Sequence, residues 1–193
     1  MLAVILVMGQ SGFASLDLDP AAMPAYRGSS LFSTLGGSLS GHVDYAVFAP
    51  GQYDGTLSFG GLYVYAYQIF SNPSSTVSID YFSVGLKPTV SVPNATYDTG
   101  AVYAVVGGSV PDMSLVMPQQ VIYLFSSNDI SASERSTTLL FTSNVAPTMA
   151  FGVASAGVSG SANMTLPTPN PEPATLGLLT VGALMAIRRM RKV

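Results

Sequence analysis

The segment from Tyr63 to Phe70 constrains the fold more than any other part of the chain. Side chains alternate between the two faces of a strand, so each face of this segment can be read directly. One face carries Tyr63, Tyr65, Tyr67 and Ile69, and the other carries Val64, Ala66, Gln68 and Phe70. Both faces are largely apolar, so both must be covered. We therefore expect a central strand whose tyrosines fill a core, with their hydroxyls at its rim.

Similar short runs of Tyr, Val, Phe and Ile alternate with clusters of Gly, Pro, Asn, Asp and Ser, which is the pattern of strands joined by turns. The pattern predicts an all-β fold, an antiparallel β-sandwich of seven or eight strands, jelly-roll or immunoglobulin-like. A change of apolar phase near Tyr81 and Phe82 predicts a β-bulge there. The predicted strands are 43–48, 57–70 with a break or bend at Gly60 and Gly61, 76–86, 101–106, 119–125, 137–141, 148–154 and 160–166.

Charge is sparse and segregated. Only 9% of residues are charged, and four of the seven cations are Arg188, Arg189, Arg191 and Lys192. Between Ser15 and Asn170, nine acidic and three basic residues give a net charge of −6. An acidic body without a basic patch argues against nucleic acid as a partner. The chain has no cysteine, which excludes disulfides, thiolate metal sites and a cysteine nucleophile.

The N-terminus resembles a signal peptide. An apolar run from Leu2 to Met8 precedes Gly12 and Ala14, whose small side chains suit a signal peptidase. We predict a signal peptide over 1–14 with cleavage after Ala14. No basic residue precedes the apolar run, so the true translation start is left open, and a buried first strand is the alternative.

The C-terminal region predicts a membrane helix behind an extended spacer. Four prolines between Leu166 and Pro173 oppose both a helix and a central strand. The 14 uncharged residues from Ala174 to Ile187 would span about 21 Å as a helix, which flanking arginines could extend towards the hydrocarbon thickness. The terminal cations are expected on the cytoplasmic side, which leaves the body outside. A buried core helix is the alternative.

These C-terminal residues resemble the PEP-CTERM sorting signal. The matching elements are the tripeptide Pro171-Glu172-Pro173, a short apolar helix with Gly177 and Gly182, and the basic cluster of Arg188, Arg189, Arg191 and Lys192. The resemblance covers about 23 residues. It implies transient anchoring in the membrane, processing by an exosortase-type enzyme, and delivery to the cell surface or an exopolysaccharide-containing matrix.

The sequence offers no strong catalytic motif. His42 is the only histidine, with Asp44 two residues along, and we interpret it as an exposed turn residue. No Gly-x-Ser-x-Gly elbow accompanies a suitable nucleophile. The acidic residues are scattered, mostly in turns, and neither a glycosidase pair nor a dedicated calcium loop is apparent, although Asp17 and Asp19 are candidate Ca²⁺ ligands. We predict no catalytic residue, cofactor or metal.

The domain organisation that follows is a signal peptide (1–14), a β-sandwich body (15–166), a proline-rich spacer (167–173) and a membrane helix with a basic tail (174–193). Our leading hypothesis is a non-enzymatic, exported surface or matrix protein. A carbohydrate-binding module that uses tyrosine side chains and turn acids is the second hypothesis. The third is a hydrolase of matrix polysaccharide, which requires two carboxylates in one cleft.

Overall fold

The body is a β-sandwich. The structure, a computed structural model, describes residues 15–101 and 103–170, in which ten strands form two five-stranded antiparallel sheets. The all-β prediction is confirmed, while the predicted count of seven or eight strands is too low. The strands are β1 (Arg27–Ser33), β2 (Ser40–Phe48), β3 (Tyr63–Ser71), β4 (Tyr81–Gly85), β5 (Asn94–Asp98), β6 (Met113–Met117), β7 (Gln120–Leu124), β8 (Thr138–Ser143), β9 (Pro147–Ser155) and β10 (Ser161–Pro169).

The first sheet has the strand order β1-β2-β3-β8-β5, and the second has the order β10-β9-β4-β7-β6. Strand β3 is therefore the central strand of the first sheet, as its doubly apolar sequence predicts. Its residues Tyr65, Tyr67 and Ile69 face the core between the sheets. Val64 and Ala66, on the opposite face, belong to a second apolar cluster outside the first sheet.

The core between the sheets is aromatic, and buried tyrosine hydroxyls join its two sides. The hydroxyl of Tyr67 in the first sheet donates to the carbonyl of Pro167 in the second. In the opposite direction, the hydroxyl of Tyr123 donates to the carbonyl of Leu140 over 2.7 Å. Burial raises the pKa of both tyrosines. The prediction that tyrosines on alternating positions fill the core is confirmed.

The outer face of the first sheet is covered by the chain itself. Leu16 and Ala22 from the N-terminal part of the body pack there, together with Ala101 and Ala104. Gln68 on β3 is fully buried beneath this cover. Its side-chain amide donates to the carbonyls of residues 105 and 136 and accepts from the N–H of residue 105.

The covering segments include the predicted strand 101–106 and the first part of the predicted strand 57–70, and neither forms a strand. The predicted strand 101–106 is a turn among its described residues, because its backbone pairs with the Gln68 side chain rather than with a neighbouring strand. The chain from Leu57 to Gly61 forms a loop, in which Gly60 has a φ of 61° and Phe59 packs on the outer cluster. Strand β3 therefore begins only at Tyr63.

Strand β4 shows no bulge at Tyr81 and Phe82, because the strand starts at Tyr81. The preceding residues belong to a separate segment, in which Ile79 forms an isolated bridge with Ile130. The change of apolar phase marks the boundary between these segments. The sequence prediction also missed β1, β5 and β6.

Strand β10 extends past the predicted end of the body. It pairs with β9 through Pro167, Thr168 and Pro169, so the spacer predicted to begin at residue 167 begins later. Proline is tolerated here because β10 is an edge strand, whose outer side needs no ladder donors. The expectation that the prolines exclude a central strand agrees with this position.

The helical content of the described residues is limited to three 3-10 turns, Leu16–Leu18, Pro24–Tyr26 and Gly157–Ser159. Within 15–101 and 103–170, no helix has both the length and the apolar character needed to cross a bilayer. The predicted signal peptide and membrane helix lie outside these residues.

Asp98, at the end of β5, fixes the loop around Tyr53, which packs on the outer face of the first sheet. It is 3% exposed and accepts hydrogen bonds from the Tyr53 hydroxyl (2.7 Å), the Thr56 hydroxyl (2.6 Å), and the N–H groups of Thr56 and Gly100 (2.8 Å each). Burial alone would raise the pKa of Asp98, but these four donors outweigh it and lower the pKa.

We predict that Asp98→Asn lowers the free energy of unfolding by about 3 kcal/mol. The NH₂ group of the asparagine would replace one carboxylate oxygen and point at hydrogen-bond donors that then have no acceptor. Since the folded pKa is lowered, the stabilisation by Asp98 is fully present above the ordinary value of about 3.9 and is lost as pH falls through the folded pKa. Urea unfolding across acidic pH measures both effects. Asp129→Asn, at an exposed carboxyl, is the control and should change stability little.

Candidate functional site

Within residues 15–101 and 103–170, no segment covers the outer face of the second sheet as the N-terminal part of the body covers that of the first. Its outward residues follow from the strand register and include no charged side chain, and several large apolar groups among them are exposed. We call this surface the open face. Its residues are Met113, Leu115 and Met117 on β6, Gln120, Ile122 and Leu124 on β7, Tyr81, Ser83 and Gly85 on β4, Met149, Phe151, Val153 and Ser155 on β9, and Ser161, Asn163, Thr165 and Pro167 on β10.

Tyr81 lies along this face rather than standing up from it. Its hydroxyl is 3.2 Å from Oε1 of Gln120. Gln120 pairs with Gly85, four residues beyond Tyr81 on β4, so the tyrosine side chain must run along the strand. This course takes it over Ser83, an outward residue that is only 4% exposed. The side chain of Tyr81 is partly exposed on this face.

A groove of about 730 Å³ lies at this end of the open face. Its apolar part is formed by Tyr81, Leu124 and Val153, and its rim is polar. This combination of an apolar floor and a few polar groups is typical of small-ligand sites. The rim residues are Asp80, Ser126, Asp129, Ser155, Gly157 and Ser161.

Two carboxyl groups line the groove. An oxygen of Asp80 accepts a hydrogen bond from the N–H of Gly157 over 3.0 Å, which fixes the side chain against the turn after β9. Asp129 is exposed, and it also lines a neighbouring hollow of about 600 Å³ with Glu134 and Arg135. The groove thus offers anionic hydrogen-bond acceptors beside an aromatic ring.

A second aromatic ring occupies the far end of the open face. Phe151 on β9 is 74% exposed. Its neighbour on β4 is Gly85, so no side chain shields it from that side. Gly85 is four residues beyond Tyr81 on β4, so Phe151 lies about 13 Å along the sheet from the backbone of Tyr81.

His42 does not occupy a turn, and that prediction is wrong. It lies in β2, half-exposed, with its ring stacked on Phe70 at a centroid distance of 4.6 Å. It does share a face with Asp44, and its Nε2 is 3.8 Å from the carboxylate. That carboxylate accepts the Ser15 hydroxyl over 2.6 Å. A serine protease-like relay needs the serine on the histidine, so this order does not match one.

Asp19, near the start of the body, has a structural role. Asp19 is buried, and its carboxylate accepts the N–H of Ala21 over 2.8 Å. Burial raises the pKa of Asp19, and the nearby charge of Asp54 adds to the increase. Within 15–101 and 103–170, no three His, Cys, Asp or Glu side chains lie together in a way that could hold a metal.

The residues of the predicted sorting signal fall outside the described part of the chain. This applies to Ala14 and to every position from Pro171 onward, including Glu172, Ala174 and Ile187. The nearest described residue to the tripeptide is Asn170, whose N–H is 3.4 Å from the carbonyl of Ala146.

No family model, curated protein or solved structure matches the chain. Function is therefore inferred from the residues and the open face. Sequence reasoning missed Tyr81 as a surface residue, because it predicted that Tyr81 continued a longer strand. Its position at the start of β4 becomes evident only from the pairing with β7 and β9.

Proposed function

We propose that this chain is an exported bacterial surface or matrix protein, sorted by a PEP-CTERM signal and without enzymatic activity of its own. The proposal rests first on the order of elements at the C-terminus. Pro171-Glu172-Pro173, the apolar stretch Ala174–Ile187 and the basic cluster from Arg188 follow one another directly. A short apolar segment ending in cations at a chain terminus favours membrane insertion with the body outside.

The packing of the body is consistent with signal removal at both ends. Leu16, two residues after the predicted cleavage position, is 1% exposed in the outer cluster, so the body needs no earlier residue to close that contact. At the other end, β10 pairs with β9 as far as Pro169, two residues before Pro171. Removal of both signals would leave every described strand intact.

We further propose that the sandwich is immunoglobulin-like. In that fold, strands A, B, E and D form one sheet and G, F and C the other. The orders β2-β3-β8-β5 and β10-β9-β4 match this arrangement. Relative to it, β1 is added beside β2, and the hairpin β6–β7 is inserted between the D and E positions.

Carbohydrate binding at the open face is the second candidate, and the observation that favours it is the groove that the partly exposed side chain of Tyr81 lines beside two carboxyl groups. The C–H face of a sugar ring stacks on an aromatic side chain, and the carboxylates and serines at the rim can accept or donate hydrogen bonds to its hydroxyls. The body carries a net charge of −6, which disfavours anionic polymers. We therefore expect a neutral polysaccharide.

Hydrolysis of matrix polysaccharide is the remaining alternative, because Asp80 and Asp129 line one groove. The Gly157 N–H donates to the Asp80 carboxylate over 3.0 Å and holds it against the turn after β9. A general acid must instead reach the leaving-group oxygen of the bound sugar. The geometry thus favours binding over cleavage.

The sorting proposal predicts that cells expressing the chain yield an extracellular form lighter than the 20.0 kDa precursor and beginning at Ser15. Glu172→Ala should leave a heavier form in the membrane fraction, because the processing enzyme would no longer recognise the tripeptide. Glu134→Ala, at the other glutamate of the chain, is the matched control. Cell fractionation, N-terminal sequencing and intact mass measure the outcome. A cytosolic protein of full mass would contradict the proposal.

The binding proposal predicts retardation of the protein in affinity electrophoresis on dextran or hydroxyethylcellulose but not on alginate. Tyr81→Ala should weaken that binding roughly fivefold to tenfold, the effect expected for one stacking ring. Tyr97→Ala, at a partly exposed tyrosine of the first sheet, should leave it unchanged. Equal losses for both variants would refute a site at Tyr81. Release of reducing ends that Asp129→Asn abolishes would support hydrolysis instead.

A further inference from the structure

A small hollow lies at the end of the second sheet where the chain leaves the body. Its volume is about 180 Å³, and it lies just beyond Val84 and Gly152, the last pair of the β4–β9 ladder. Lys87 after β4, Phe151 on β9 and Asn170 after β10 are among the residues that line it. Because Asn170 is the last described residue, the next residues of the chain start at this hollow.

Two side chains of the hollow are available to a partner. Lys87 is exposed, and the carboxylates of residues 15–101 and 103–170 form no ion pair with it. The other two cations of the body, Arg27 and Arg135, donate to backbone carbonyls. Phe151 is 74% exposed. A segment that fits this hollow should therefore combine a carboxylate with flat apolar groups.

The tripeptide Pro171-Glu172-Pro173 has this combination and follows directly after Asn170. Glu172 is only two residues beyond Asn170, so their Cα atoms are at most about 7 Å apart. The net charge of −6 on the body repels a carboxylate over most of its surface, which favours a position beside Lys87.

Asn170 directs the chain towards the hollow. Its side-chain oxygen is buried and has no hydrogen-bond partner among the described residues. An asparagine before a proline favours a turn, in which its side-chain oxygen accepts the N–H of the residue two positions on. That residue is Glu172, which has the only N–H group of the tripeptide because proline has none. The chain is thus expected to turn at Asn170 instead of continuing the line of β10.

We propose that this hollow seats the tripeptide Pro171-Glu172-Pro173, with the Glu172 carboxylate on the Lys87 ammonium and the proline rings against Phe151. A single exposed ion pair stabilises little, so the aromatic contact is needed as well. Proline-rich segments dock on aromatic side chains because they have little conformational freedom left to lose. The inference takes the tripeptide as a sorting element from the proposed function, but the seating itself needs no processing enzyme.

Carbodiimide cross-linking tests the seating on the natural sequence. The reagent activates a carboxylate, an amine in contact with it displaces the activated group to form an amide, and the carbodiimide leaves as a urea that carries the lost water. The chain has only two lysines, Lys87 and Lys192, so the products are few. The experiment uses the full chain, made in a host without the processing enzyme and kept in a mild detergent that solvates Ala174–Ile187. We expect the amide between Lys87 and Glu172, within one copy, as the main product of Lys87 in peptide mass spectrometry.

A variant of the aromatic contact provides the second measurement. Phe151→Ala should lower the yield of this amide at least fivefold. Leu115→Ala, at an exposed apolar residue of β6 on the opposite edge of the sheet, should leave the yield unchanged. Circular dichroism confirms folding of both variants.

The seating proposal would be overturned by an unchanged yield in Phe151→Ala, by a main Lys87 product with another carboxylate or another copy, or by the absence of the amide between Lys87 and Glu172. Its failure is distinguishable from failure of the proposed function. A chain that forms the amide but is not processed in cells contradicts only the sorting, and a chain that is processed but forms no amide contradicts only the seating.

Discussion

The rest of the structure depends on two hydrogen bonds that buried tyrosine hydroxyls donate across the core, one in each direction between the sheets. Tyr67 donates from the first sheet to Pro167, and Tyr123 donates from the second sheet to Leu140. Both side chains are fully buried, and a buried hydroxyl is costly unless it is paired. The sheets are therefore held in one alignment by directional bonds as well as by apolar packing. The bond from Tyr67 also fixes β10 at its prolines, where the strand lacks N–H groups of its own.

The outer faces of the two sheets differ for a reason that lies in the length of the connecting segments. The first sheet is covered by the N-terminal part of the body and by the loops around Tyr53 and Ala104, which supply their own apolar residues. In the second sheet, the hairpins β6–β7 and β9–β10 have short connections, and no described segment covers the outward side chains. An uncharged surface, on which Phe151 is exposed and Tyr81 is partly exposed, is thereby left on an otherwise acidic body. The proposed sugar site lies at the Tyr81 end of this sheet.

The sequence predicts the strands whose own pattern of apolar side chains shows which of their faces must be buried. The double apolar pattern of β3 required two covered faces, and the structure places β3 at the centre of the first sheet with a cluster on each side. Strands β1 and β5 were missed because their residues are largely polar, and their pairing comes from neighbours distant in sequence. The segment 101–106 looked like a strand, but the side chain of Gln68 meets its backbone and no strand does. The flat position of Tyr81 depends on Gln120, a partner 39 residues away, which no local pattern reveals.

The central claim is that the open face of the second sheet is the ligand-binding surface. Hydrogen–deuterium exchange with and without a soluble neutral polysaccharide tests it most directly. The bound polymer should slow amide exchange in β4 and β9, over Tyr81–Gly85 and Pro147–Ser155, because both strands lie beneath the open face. It should leave residues 15–26 and 51–62, which cover the first sheet, unchanged. Protection centred on those covering segments, or no protection in any strand, would contradict the account.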